Sequence, residues 1–129
     1  MITGDVITKE EEVELTIELA VRDIQNSIDF YTKILGFTLH RIATDGKFAI
    51  ISFGHSILML TEEVGLPEPR FKGLEEIRIL VPDVDLVYEK VCERGGKVYK
   101  SLEDASYGLR TFYIKDPDGA IIKFASLII

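Results

Sequence analysis

Three charged side chains stand where strands should be buried. Glu18 lies in the run VELTIELAV (13–21), and Glu76 and Arg78 lie in EEIRILV (75–81). A carboxylate can serve as a general base or hold a cation, and a guanidinium can hold an anion. Burying either is costly unless it is paired. Two readings stand side by side: the three line a ligand cleft, or Glu18 and Arg78 pair with each other. A second group, Tyr107, Arg110, Phe112 and Tyr113, falls close together in the second half of the chain. Flat aromatic walls with a few polar groups suit planar or amphipathic ligands. Tyr107, Arg110 and Tyr113 are candidate ligand contacts, with Phe112 beside them and His55, Phe48 and Phe53 as weaker ones. Arg110 is read either as a ligand contact or as half of a structural ion pair. Alternation puts Tyr113 opposite Arg110 and Phe112 on strand 110–115, and either face can line a cleft.

Familiar catalytic constellations are missing. There is no GxSxG, no P-loop and no GxGxxG. His40 and His55 lack the HxxxH or HxH spacing of local ligand pairs. Ser52, Ser56 and Ser106 have no base identifiable from sequence. Cys92 is the single cysteine, which excludes a disulfide framework and a thiolate cluster. Its spacing among apolar residues predicts a core position. If a general base exists, Glu76 or Glu18 is the candidate.

The elements that must position these residues occur twice. Residues 17–24 read IELAVRDI and residues 77–84 read IRILVPDV. Val21 matches Val81, Asp23 matches Asp83, and Gly36 matches Gly96. A repeat of this length is too long for a solenoid unit and implies two small modules built on one plan. In the first, strand 13–21 leads to Asp23, a short carboxylate suited to cap a helix. Ile24, Ile28, Tyr31 and Leu35 recur at helical spacing until Gly36 stops the helix. Strands over 37–44, 47–53 and 56–61 follow, joined by Asp45-Gly46 and Gly54-His55 turns. In the second, strand 75–81 leads to Asp83 and a helix with Val84, Val87, Tyr88 and Val91 inward. Strands over 97–101, 110–115 and 120–128 follow. A loop covers 102–108, and Asp116-Pro117-Asp118-Gly119 forms a turn. The fold class is α+β: two pseudo-symmetric β-α-β-β-β modules around a cleft, spanning about 13–61 and 74–128, with a proline- and glycine-bearing linker over 62–73.

The length suits one domain, and the apolar fraction of 47% supports a core. The net charge of −7, with scattered basic residues, argues against nucleic acid as a partner. No apolar run reaches membrane-spanning length, and the first residues lack signal-peptide features. A cytoplasmic protein without membrane contact is expected.

Two stretches carry a family resemblance. Asp23-Ile24-x-x-Ser27-Ile28-x-Phe30-Tyr31-x-x-x-Leu35-Gly36-Phe37 resembles the first-helix signature of the vicinal oxygen chelate superfamily. Tyr107-Gly108-x-Arg110-x-Phe112-Tyr113-x-x-Asp116-Pro117-Asp118-Gly119 resembles its closing hairpin, in the style of the bleomycin-resistance branch. The superfamily holds glyoxalase I, bleomycin-resistance proteins, fosfomycin-resistance enzymes and extradiol dioxygenases. The resemblance covers about residues 13–127. It implies curved sheets enclosing a cleft, commonly in a homodimer. It also implies four metal-ligand positions, which map to Thr16, Met59, Glu76 and Lys123. Only Glu76 suits a hard divalent ion: Met59 is a soft thioether, and Lys123 brings its own positive charge. No metal and no cofactor is therefore expected. A Lys123–Glu76 ion pair standing in for the metal is one reading, and Lys123 reaching to solvent is the other. Glu18, Glu76, Arg78, Met59 and Lys123 join Tyr107, Arg110 and Tyr113 as the expected ligand-binding set.

Three functions remain open. The first is a metal-independent protein that sequesters an aromatic or amphipathic ligand, similar to the bleomycin-resistance proteins. The second is a glyoxalase-type lyase or isomerase with a non-standard metal site. The third is a regulatory dimer with a vestigial cleft.

Overall fold

The computed structural model describes residue 9, residues 13–66 and residues 76–128, with Glu76 described by its backbone alone. Most of the expected linker and the side chain of Glu76 lie outside the described residues. In the first module β1 (Ile17–Val21) leads into α1 (Ile24–Asp29), which continues as a π-helical turn (Phe30–Ile34). Then come β2 (Thr38–Ile42), β3 (Phe48–Phe53) and β4 (Ser56–Glu62). The second module repeats this order as β5 (Glu76–Leu80), α2 (Val84–Glu93), β6 (Val98–Asp104), β7 (Leu109–Lys115) and β8 (Ile121–Leu127). The sheets run β1-β4-β3-β2 and β5-β8-β7-β6, so duplication is retained down to strand order. In each, the first strand pairs parallel with the last and the rest is antiparallel.

Local chemistry explains the helix limits. Asp23 accepts from the Asn26 amide at 3.1 Å, and Asp83 accepts from the Leu86 amide at 3.2 Å. Glu62, at the end of β4, accepts from the Ile24 amide at 3.0 Å and satisfies a second exposed donor of the same helix. Gly36 ends the helical segment at a φ of 89°, which suits glycine. The helix is not α throughout, because the Leu35 amide reaches back to the Phe30 carbonyl. The wider turn keeps both Tyr31 and Leu35 on the buried side.

Alternation assigns the faces. Val21, Ile51, Leu58 and Leu60 of the first sheet share one buried cluster with Phe112, Ile114, Ile122 and Phe124 of the second. Phe112 and Phe124 stack at 5.2 Å, and Phe53 approaches Phe124 at 6.0 Å. The modules thus meet through their helix-bearing faces, and the opposite face of each sheet turns away from this core. We call these the outer faces.

The Asp-Pro-Asp-Gly turn does more than reverse the chain. Asp116 accepts from the Asp118 and Ala120 amides and from the Tyr31 hydroxyl. Asp118 accepts from the backbone and guanidinium of Arg22 at 3.1 and 3.2 Å. The closing hairpin is thereby tied to the start of the first module. Cys92 corrects the expected core position: it is exposed. The buried line of α2 runs through Val84 and Val91, and the next residue after Val91 is rotated about 100° away from it. Likewise β6 extends to Asp104, into the segment expected to be loop. Among the described residues no helix is long and apolar enough to cross a membrane.

Candidate functional site

Register brings the candidate residues into two matching rows. On the outer face of the second sheet, Arg78 pairs with Lys123, Lys123 with Tyr113, and Tyr113 with Lys100. One cross-strand row, Arg78–Lys123–Tyr113–Lys100, therefore spans all four strands. The equivalent row of the first sheet is Glu18–Met59–Ile50–Arg41. The halves keep one scaffold and differ in the chemistry mounted on it.

Lys123 is the centre of the second row and is only 3% exposed. Its ammonium donates to the Tyr107 hydroxyl. It also sits over the Tyr107 and Tyr113 rings, 5.0 and 5.2 Å from their centroids. These contacts are cation–π in kind and offset part of the cost of burying the charge. The Tyr107 hydroxyl holds the Lys123 ammonium above the usual lysine value, outweighing desolvation. Lys123 therefore stays charged near neutrality and is not poised as an amine nucleophile. Lys100 lies over the other side of the row, 5.3 Å from the Tyr113 ring, and pairs with Glu103 at 2.9 Å. Glu76 shares this face by alternation, but its expected pairing with Lys123 involves a side chain outside the described residues.

The remaining candidates fall elsewhere. Glu18 accepts from the Thr61 hydroxyl on the adjoining strand, so its partner is Thr61 and not Arg78. Met59 is its half-buried register partner, and Thr16 is exposed just before β1. Arg110 is on the helix-bearing side of β7. Its guanidinium bonds Asp85 at 2.8 Å and Asp104 at 3.0 Å, the ion-pair alternative, away from Lys123. Phe112 is wholly in the core, so β7 offers Tyr113 to the outer face and not Arg110 or Phe112. Phe48 is half-buried on the outer face of the first sheet.

A groove of about 460 Å³ lies between β1 and β5, whose free edges approach each other beside the β3–β4 turn. Phe37, Phe53, His55, Ile57, Ile79 and Leu80 are among its lining residues. Arg78 belongs both to this groove and to the row containing Lys123. One pairing escaped the sequence altogether. His40 Nε2 lies 2.6 Å from Ser52 Oγ, so Ser52 does have an imidazole beside it. Twelve residues and a β-bulge separate the two, and only the β2–β3 register reveals the contact. No carboxylate orients His40 among the described contacts, so the pair lacks the third member of a hydrolytic triad.

The four positions implied for a metal do not fit one. Thr16 offers a hydroxyl, Met59 a thioether and Lys123 a buried, phenol-bound ammonium. A cation fixed at the site opposes a second cation by direct repulsion. Among the described residues no three His, Cys, Asp or Glu side chains gather as a metal site.

Fold and site together define a duplicated α+β protein of the vicinal oxygen chelate class. Residues 15–124 match the model of the Glyoxalase/Bleomycin resistance protein/Dioxygenase superfamily, and the chain belongs to that family. Over 111 residues it is 29% identical to a lactoylglutathione lyase of Escherichia coli O157:H7, covering 78% of this chain and 82% of the relative. It is 29% identical over 109 residues to a catechol-2,3-dioxygenase of Bacillus subtilis, covering 79% of this chain. The match spans only 37% of that dioxygenase. A crystal structure of a glyoxalase/bleomycin resistance protein/dioxygenase from Alicyclobacillus acidocaldarius superposes with a TM-score of 0.78. That match covers 95% of this chain and 96% of the other at 19% identity, a likeness of fold alone.

Proposed function

We propose that this chain is a metal-independent small-molecule-binding protein of the cytoplasm, sequestering an aromatic or amphipathic ligand as a homodimer. The observation that carries the reading is Lys123: a buried ammonium with two tyrosine rings occupies a position that the family resemblance assigns to a metal ligand. The aromatic walls and the adjoining apolar groove supply contact area for a flat ligand. The dimer is supported by the outward orientation of both outer faces, since a second copy can cover them. The test is incubation with nickel, zinc or manganese followed by measurement of bound metal, alongside a thermal-shift screen of aromatic compounds. We expect no stoichiometric metal and a rise in melting temperature with a bound aromatic. One metal ion per chain would overturn the reading.

A glyoxalase-type lyase or isomerase is the second reading. It is favoured by the 29% identity to lactoylglutathione lyase, with Glu18 or Glu76 as base. It requires the stoichiometric metal that the first reading excludes. A regulatory dimer with a vestigial cleft would show neither metal nor ligand binding.

A further inference from the structure

We infer that a second pocket, between the end of the first helical segment and α2, binds a short-chain aliphatic carboxylate. The chain lies against Leu35, Phe53, Val87 and Val91, and the carboxylate sits on Arg94.

The pocket has a volume of about 240 Å³. Leu35 and Gly36 contribute from the first helical segment, Val87, Val91 and Arg94 from α2 and its C-cap, and Phe53 from β3. The apolar part is mostly aliphatic, and the space is below that of a drug-sized site, which suits a short chain. Phe53 is the one lining residue it shares with the groove between β1 and β5. It lies on the helix-bearing side of the sheets, apart from both outer faces and from Lys123.

Arg94 gives the pocket its charge. Its Nη1 lies 3.0 Å from where a Cβ on Gly36 would stand, so the guanidinium hangs over the glycine and fills the room a side chain would take. Arg94 is exposed, so its donors are open to a ligand entering from solvent. A guanidinium beside a helix end can instead cap free carbonyls, but that needs a hydrogen bond. Among the described residues the Arg94 side chain makes no hydrogen bond and no ion pair. The neighbouring cation, Lys90, pairs with Glu93 at 3.7 Å and is not needed. A planar guanidinium presents parallel donors to both oxygens of a carboxylate, with the apolar walls directly beside them.

The duplication supplies a comparison. The offset that matches Gly36 with Gly96 also matches Arg94 with Ile34 and Lys90 with Phe30. A counterpart pocket of about 250 Å³ lies where Phe30 and Ile34 meet Gly95 and Gly96. There the helical positions are apolar, and the Asp116 carboxylate belongs to the lining. Its cations, Lys97 and Lys115, come from outside the helix, and Lys115 lies over the Tyr99 ring at 4.1 Å. The scaffold therefore requires no cation at the Arg94 position, and the pocket that has one is lined by no carboxylate.

The experiment is NMR titration of the isotope-labelled chain with hexanoate, butanoate and hexanamide, followed at the Gly36 and Arg94 amides and the Arg94 Nε–H. In the wild type we expect hexanoate to saturate these shifts and to bind about tenfold tighter than hexanamide, the scale of one charge-assisted contact. It should bind severalfold tighter than butanoate, because two more methylenes are buried. Arg94→Gln should abolish the preference for the acid while leaving hexanamide affinity within about twofold. Arg94→Lys should keep part of the preference. Lys33→Ala removes an exposed cation outside the pocket lining and should leave both affinities within about twofold. Arg94 and Lys33 are both exposed, and the dispersion of each spectrum checks the fold. Equal binding of hexanoate and hexanamide by the wild type overturns the anion assignment. Saturable shifts at Tyr113 with Gly36 unmoved overturn the location. Equal losses in Arg94→Gln and Lys33→Ala mark a net-charge effect and overturn the role of Arg94. Absence of saturable binding by hexanoate overturns the inference outright, and the reading of the outer faces stands apart from all these outcomes.

Discussion

The Tyr31 hydroxyl donates to Asp116 Oδ2 at 2.8 Å, a buried bond between residues 85 positions apart. It joins the first helix of one module to the closing turn of the other. Burial and the Asp116 carboxylate push the Tyr31 hydroxyl well above its ordinary pKa, so it remains a donor at every working pH. Tyr31→Phe removes the donor and leaves a buried carboxylate oxygen short of a partner. The expected cost is about 1–3 kcal/mol. Urea unfolding checks it, with a lower midpoint and an unchanged slope.

Asp116 sets a pH dependence whose sign is fixed. Burial raises its pKa in the folded chain, against the opposing effect of Tyr31 and two backbone amides. The folded state therefore holds the proton more tightly than the unfolded state. The resulting stability is fully present below the ordinary carboxylate pKa and is lost as pH rises through the raised one. Compared with Asp116→Asn, the wild type should be relatively most stable in acid, and its advantage should shrink as pH climbs through that window. Melting temperatures of both proteins across the acidic range give the difference. An advantage that grows with pH would contradict the assignment.

Gly96 is required for space. A Cβ there would lie 2.5 Å from a Val91 methyl, 2.9 Å from an Ile34 methyl and 2.9 Å from the Val91 carbonyl. Gly96→Ala should cost about 1–3 kcal/mol through overpacking, since a backbone carbonyl cannot rotate aside as a side chain can. Denaturant titration of Gly96→Ala against the wild type measures the loss.

Arg110 and Lys123 should separate functionally. The Arg110 guanidinium is engaged by Asp85 and Asp104 on the helix-bearing side of β7, and Tyr113 faces the other way. Arg110→Ala should leave the affinity for an aromatic compound found by the thermal-shift screen within about twofold, whereas Lys123→Met, which removes the cation over the Tyr107 and Tyr113 rings, should lower it severalfold. Calorimetry on the two variants side by side makes the comparison. Equal losses would place Arg110 in the ligand site.

The homodimer leads to a mass expectation. The chain is 14.6 kDa, and light scattering should return twice that value. A monomer at micromolar concentration would leave both outer faces uncovered and would count against the proposed assembly.

The fold was legible because its signals are local and occur twice. Asp23 and Asp83 cap helices as their positions suggested, and β4 alternates between half-buried and buried positions with the expected period. Lys123 could be located from a family pattern, but its environment could not. Tyr107 reaches it from a loop sixteen residues earlier, and no periodicity encodes that contact. The parity of β7 was readable, yet which parity faced outward was not, because Phe112 and Tyr113 are both aromatic. Only the shared core resolved it, by taking Phe112 against Phe124. Cys92 failed for the opposite reason: a small apolar side chain at the edge of a helix stripe looks like its buried neighbour Val91.

The bond between Tyr31 and Asp116 also gives synthesis a direction. Every strand and helix of the first module precedes residue 63, but its central phenol finds its acceptor only near the end of the chain. A nascent chain leaving the ribosome must hold its first half with that hydroxyl unanswered until the last hairpin emerges. The Asp-Pro-Asp-Gly turn then acts as a latch, and stopping translation just before it should leave a half-closed, protease-sensitive intermediate.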